Sequence, residues 1–360
     1  MRYDLMKELA PDVADSHEAI TQDQMLDIMK AYKAKYPDGT AMTWDAENES
    51  YMTPLKGMYG LKTYSVAEEG SLQHVARDPK YIEMLKFCNE MYRNDLLDKE
   101  WVVNKNTLWT QKLSSGDVFG TLSAYWDVAA ANTSLASTVG PDAQLYAYKV
   151  LGNGIASDET TYGARNTLGW DAIGITSNCK NVERAVDFAD FMVSEEGQYL
   201  KLWGVEGEDW EIKDGVHTAD SELVKGRVED ANGTIRSTGV RLWTWFVKNG
   251  NGSDGTPYDI LKVELTDAAV FANKNLPDTN WDMAEYDALE PVGSTPEGLK
   301  YQKVQDVFDQ AFPKIIAASS EEECVQLYEK MISDMDAAGL KDVEKVINGN
   351  YDAKMKIWNE

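Results

Sequence analysis

The stretch "LWTQKLSSGDVFGTLSAYWDVAA" at residues 108–130 decides how the chain is read. Residues 106–114, "NTLWTQKLS", form a short predicted helix that Ser115-Gly116 stops. "DVFGTLSAYW" then reads as a strand, which delivers Tyr125, Trp126 and Asp127 in succession before small residues that can open another helix. Helices interleaved with short strands mean an α/β fold. The local question is why a large flat ring stands beside a carboxylate at the end of an apolar run.

Elsewhere the same alternation continues. Thr21 and Gln24 fit a capping box, and Met25, Ile28, Met29 and Tyr32 come next at helical spacing until "YPDG" at 36–39. Asp78-Pro79 opens a second predicted helix with Leu85, Cys88 and Tyr92 on one face. "GWDAIGIT" at 169–176 reads as a strand, and Asn181 as the cap of "VERAVDFADFMVS". "EEGQYLKLWG" continues as a second, broken helix. Ser320 and Glu323 fit another capping box, and Gly339 is placed to end that helix in a left-handed conformation. From about 205 to 300, Gly, Asp, Asn and Pro become frequent and helical periodicity weakens.

Bulk chemistry excludes several classes. The 360-residue chain has a formal charge of −26, which repels nucleic-acid phosphates and anionic lipid. Cys88, Cys179 and Cys324 are far apart and near no histidine, so neither a disulfide framework nor a zinc site is expected. His17, His74 and His217 stand isolated among polar residues and read as surface positions. The loop "VKNGNGSDGTPYD" at 247–259 holds Asn249, Asn251, Ser253 and Asp254, but Asp254 fills the slot where an EF-hand needs glycine. No metal and no cofactor are expected. Signatures of nucleophilic, nucleotide or zinc catalysis are missing, so the chain is not expected to be an enzyme.

The aromatic residues carry more information. Eleven Trp and eighteen Tyr include Trp44-Asp45, Tyr125-Trp126-Asp127, Trp170-Asp171 and the pair Trp243 and Trp245. A pyranose has an apolar C–H face and a rim of hydroxyls, and an aromatic followed by Asp offers a partner to each. Trp126, Asp127, Tyr125, Trp170, Asp171, Trp44, Tyr51, Trp243 and Trp245 are therefore candidate ligand-binding residues. Each Trp taken singly reads as core before it reads as a ligand platform, by about two to one, and it is the recurrence beside Asp that moves the group toward binding.

"YIEMLKFCNEMYRNDLLDKEW", the stretch ending "LSAYWDVAA", and "NTLGWDAIGITSNCKNVERAVDFADFMVSEEGQ" together resemble the extracellular solute-binding proteins of ABC importers. The likeness is to family 1, which includes maltose-binding protein, and to its Gram-positive lipoprotein group. It implies a periplasmic-binding-protein-like (type II) fold of two α/β lobes closing on a ligand in a cleft. Residues 1–215 with 300–360 are expected to form the second lobe, and 216–299 an incomplete first lobe. The resemblance places Trp126 where sugar-binding members present a stacking ring, with Trp44 to Tyr51, Trp170 and Asp171 beside the cleft.

It also implies a carbohydrate, in particular an oligosaccharide, as ligand and ABC permease subunits as partners. "MRYDLMKELAPDV" begins where relatives already cross into the second lobe, so a segment of about a hundred residues carrying the lipid anchor is expected to precede it. Attachment to the membrane outside the cell would then run through that anchor alone. Two alternatives stay open: a glycan hydrolase using an Asp/Glu pair, and a binder of peptides or other charged solutes that uses Arg165.

Overall fold

A computed structural model describes residues 1–167, 172–243, 245–259, 265–276 and 279–359, without the side chains of 228, 231 and 232. The chain divides into two compact units, residues 1–170 with 266–360, and residues 171–265.

In the first unit, β1 (Ile20–Thr21) runs directly into α1 (Gln22–Lys35). The expected capping box forms: Thr21 Oγ1 accepts from the Gln24 amide at 3.2 Å, and Gln24 Oε1 accepts from the Thr21 amide at 2.8 Å. Met25, Ile28, Met29 and Tyr32 face inward as their spacing predicts. The chain returns as β2 (Thr40–Thr43), and α2 (Pro79–Arg93) starts at Asp78, whose carboxylate caps the Lys80 amide at 2.9 Å. Leu85 and Cys88 are buried on α2. Burial raises the Cys88 thiol far above its ordinary pKa, so it is an inert core group.

The decisive stretch folds as α3 (Asn106–Ser114), β3 (Val118–Thr121) and α4 (Ala129–Thr138). β3 lies parallel to β2 in the register Thr40↔Val118, Met42↔Gly120 and Thr43↔Thr121. β1 pairs in parallel with β4 (Val150–Leu151), and Arg2 donates its amide to Phe119 O of β3 at 2.7 Å. The strand is shorter than the sequence indicates. It ends at Thr121, and residues 125–128 form a turn, so Trp126 sits in a turn and not on the strand.

The C-terminal helices Pro296–Ile316, Glu321–Ala338 and Leu340–Trp358 complete this unit. Ser320 caps the Glu323 amide at 3.1 Å, but Glu323 reaches back to Ser319 instead of Ser320, so only half of the capping box forms. Gly339 adopts φ 107° and ends the helix as expected.

In the second unit, α5 (Val182–Val193) starts at Asn181, whose side chain accepts from the Arg184 amide, and α6 (Glu195–Trp203) begins after Ser194. A hairpin pairs Trp210–Lys213 with Val216–Ala219. Within this unit α6 packs on the chain around Tyr258. Trp203 donates its indole N–H to Tyr258 O at 2.8 Å, and Tyr199 and Tyr258 share the same core cluster.

Two further readings need correction. Residues 172–176 form no strand: nothing pairs with them among the described residues, and Ile173 and Ile175 are exposed. Nor is His217 a surface residue. It stacks flat on Tyr199 with ring centroids 3.6 Å apart, and its Nδ1 lies 2.7 Å from Asp254 Oδ2. His74 is likewise half-buried, its Nδ1 accepting from the Ala76 amide at 3.1 Å.

Candidate functional site

The β2–β3 pair carries a polar network at the end from which both candidate loops leave. Trp109 of α3 donates its indole N–H to Thr121 Oγ1 at 3.0 Å, and that hydroxyl donates to Thr43 O at 2.7 Å. Asp98 Oδ2 accepts from Thr43 Oγ1 at 2.8 Å, Asn104 Nδ2 at 3.1 Å and Lys112 Nζ at 2.7 Å. Burial works against the Asp98 charge, but the bonds from Lys112, Thr43 and Asn104 outweigh it and hold the carboxyl below its usual range.

Beyond β3 the chain makes a braced turn. Asp127 Oδ2 accepts from Ser123 Oγ at 2.6 Å and from the Ala124 amide at 3.2 Å, closing residues 123–127. Val128 then anchors the start of α4 in a small core with Trp109, Leu113, Val118 and Leu135. Held between brace and anchor, Trp126 projects outward with 65% of its surface exposed. Tyr125 meets it edge to face, with centroids 4.9 Å apart and planes at 76°. Tyr125 Oη and Asp127 Oδ1 carry no hydrogen bond among the described residues, so both can reach a ligand hydroxyl.

Trp44 and Tyr51 lie elsewhere. Trp44 is fully buried, stacked on Tyr51 at 4.8 Å and met edge-on by Trp101 at 5.1 Å. Tyr51 is also buried, so neither ring has a face open to a ligand. The neighbouring acid repeats the arrangement seen at Asp127. Asp45 is buried, and its two oxygens accept from the Glu47 amide, Asn48 Nδ2 and Asn106 Nδ2 at 2.8–3.0 Å. In both Trp-Asp pairs the carboxylate braces its own loop, a use that the dipeptide alone does not distinguish from ligand binding.

Arg165 is exposed in a strand, Gly163–Arg165, that pairs in parallel with Asn280–Asp282. Its Nε donates to Asn280 Oδ1 at 3.2 Å, and it makes no ion pair among the described residues. Trp170 and Asp171 lie outside the described residues.

In the second unit Trp243 and Trp245 are 42% and 46% exposed. Phe188 of α5 stacks on Trp243 at 5.6 Å with planes 17° apart. Sequence reasoning missed Phe188, whose only signal is a large ring on a helix that buries little besides Met192. The loop at 247–259 is held from within: Asp254 accepts from the His217 amide and ring and from the Thr256 amide and hydroxyl, all at 2.7–2.8 Å. These donors, the His217 amide first, hold the Asp254 carboxyl well below its usual range. No cluster of three or more His, Cys, Asp or Glu suited to a metal occurs among the described residues.

Residues 3–207 match the model of the bacterial extracellular solute-binding protein family. The chain belongs to that family. Lipoprotein LipO of Bacillus subtilis (strain 168) is 24% identical over 236 residues, 61% of this chain and 45% of LipO. The chain thus spans about half the length of the curated relatives it matches.

Among solved structures, an HMO binding ABC-transporter associated solute-binding protein from Bifidobacterium longum infantis superposes with TM-score 0.60 at 16% identity. The superposition covers 98% of this chain and 72% of that one. FusA, an S. pneumoniae ABC-transporter substrate-binding protein solved as an EF-hand mutant with fructo-nystose, gives TM-score 0.52 at 17% identity over 98% and 71%. This solute-binding protein therefore has the fold of its family, as the resemblance implied. No helix among the described residues is long and apolar enough to cross a membrane.

Proposed function

We propose that this solute-binding protein captures a carbohydrate, in particular an oligosaccharide, outside the cell and hands it to an ABC importer. Trp126 is the stacking ring for the sugar's C–H face, and Tyr125 Oη and Asp127 Oδ1 meet its hydroxyls. Trp243 and Trp245 serve as a second aromatic surface. The permease is the partner, and a lipid anchor, as on a lipoprotein, tethers the whole protein. Binding and release, without bond cleavage, is the whole of the chemistry.

The observation that carries this reading is an indole 65% exposed on a turn braced at both ends. An indole held open in this way offers a rigid apolar face whose burial under a ligand is favourable. Family membership supports a binding role, and the sugars named for the structural neighbours support carbohydrate as the class.

A glycan array probed with this chain, then with its Trp126→Ala variant on the glycans retained, tests it. The expected result is retention of at least one glycan and its weakening in the variant, with the glycan recovered intact by mass spectrometry. No retained glycan, or equal retention by the variant, overturns the reading. Cleaved glycan would support a hydrolase instead.

A further inference from the structure

Lys201 of α6 points its ammonium at three main-chain carbonyls: Met192 O at 2.9 Å, Trp245 O at 3.0 Å and Phe246 O at 2.7 Å. Three N–H bonds meet three acceptors, and no carboxylate pairs with this lysine among the described residues. One turn earlier, Gln198 is fully buried and does the same with neutral chemistry. Its Nε2 donates to Met192 O at 2.7 Å and Phe246 O at 2.9 Å, and its Oε1 accepts from the Lys248 amide at 2.8 Å. The Arg241 amide donates to Lys201 O at 2.8 Å, so the loop is tied to α6 at both ends.

The loop needs such ties. Arg241 and Phe246 both have φ 61°, a left-handed conformation that costs free energy for a residue with a β-carbon and persists only where surroundings enforce it. Leu242, Trp243 and Trp245 point outward, 70%, 42% and 46% exposed, so the loop's apolar anchorage comes down to Val247 against the Tyr199–Trp203 cluster and the Phe188 ring on Trp243. The polar ties come from α6 and from the Arg241–Asp259 ion pair, and burial lowers the Lys201 amine to about 8.

We propose that Lys201, with Gln198 beside it, is a positioning residue that holds residues 241–243 and 245–248 so that Trp243 and Trp245 face outward as an aromatic surface for a sugar. The sugar part of this assignment rests on the carbohydrate reading above; the clamp itself does not. Lysine suits the task because one flexible stem delivers three donors to acceptors in different segments, and a charged donor makes the stronger bond to each carbonyl.

The test uses the full chain labelled with 5-fluorotryptophan. Fluorine resonances of Trp243 and Trp245 are assigned with Trp243→Phe and Trp245→Phe, and that of Trp126 with Trp126→Phe. Lys201→Met is expected to shift or broaden the first two and leave the Trp126 resonance in place. Lys201→Arg, which keeps charged donors, is expected to restore them. Gln198→Ala gives an independent, milder version should Lys201→Met fail to fold. Unmoved Trp243 and Trp245 resonances in both variants would overturn the clamp.

The second arm measures affinity for a glycan retained by the wild type, where Lys201→Met is expected to weaken binding at least about 5-fold, as Trp243→Ala does. Moved resonances with unchanged affinity would overturn the role in sugar capture. A wild type that retains no glycan would instead remove the carbohydrate reading, with the fluorine result still deciding the clamp.

Discussion

Thr43 and Thr121 sit opposite each other in the β2–β3 register, with Thr121 Oγ1 donating to Thr43 O at 2.7 Å, yet the tryptophans beyond them take opposite fates. Trp44 turns into the core at once, whereas Trp126, five residues beyond its strand, stands in the open. Substitution separates the two. Trp126→Ala is expected to change stability by no more than about 0.5 kcal/mol, as a surface residue would, while weakening glycan binding about 5- to 30-fold. Trp44→Ala is expected to cost about 3–5 kcal/mol, because the cavity left between Tyr51 and Trp101 cannot close. Urea melts and glycan titrations of both variants check this; equal losses of stability would place Trp126 in the core.

That contrast also marks how much the sequence discloses. Devices that act over three or four residues are legible: the Thr21–Gln24 box, the Asp78 and Asn181 caps and the Gly339 stop all form. So is the order of elements around 108–130. Trp44-Asp45 and Trp126-Asp127 are the same dipeptide, and only long-range packing by Tyr51 and Trp101 decides that the first ring is buried. The packing of His217 is hidden for the same reason, since its partners Tyr199 and Asp254 lie 18 residues before it and 37 after it.

Asp98 joins β2, α3 and the segment between them through Thr43, Lys112 and Asn104. Asp98→Ala takes the acceptor from Lys112, the Thr43 hydroxyl and the Glu100 amide, while Asn104 Nδ2 keeps Thr43 Oγ1 and Trp44 O, and is expected to cost about 1–3 kcal/mol; Asp98→Asn keeps an acceptor and loses less. With its carboxyl held below the usual range, Asp98 stabilises the fold at neutral pH and loses that effect as pH falls below the normal aspartate range. Chemical denaturation of both variants at pH 7 measures the difference. A loss from Asp98→Ala within about 0.5 kcal/mol would show the network to be dispensable.

His74 gives the fold a second acid-sensitive point. Burial, reinforced by the Arg77 and Lys56 charges, lowers its ring to about 4 from an ordinary 6.5. Between those values the unfolded chain binds a proton that the folded chain refuses, so stability falls as pH drops from 6.5 toward 4. One proton limits the slope to about 1.4 kcal/mol per pH unit. His74→Gln keeps an acceptor for the Ala76 amide but does not titrate, and its melting temperature is expected to fall less steeply over this range. Parallel profiles for wild type and variant would exclude His74 as a source of the acid sensitivity.

The loop at 247–259 is expected to ignore divalent cations. Asp254 is its only carboxylate besides Asp259, and five protein donors already occupy the oxygens that a calcium ion would need. Asp259 pairs with Arg241. Millimolar calcium or a chelator should therefore leave the melting temperature of the wild type unchanged. Asp254→Ala, by contrast, releases the His217 ring from its carboxylate and leaves the Thr256 amide without its acceptor, and is expected to lower the melting temperature. Because His217 packs flat on Tyr199, the loss should appear as earlier proteolysis within 195–259 and not in α1 or α2. A melting temperature that rises with calcium would mean that the ion displaces these donors, and the loop would then be a metal site after all.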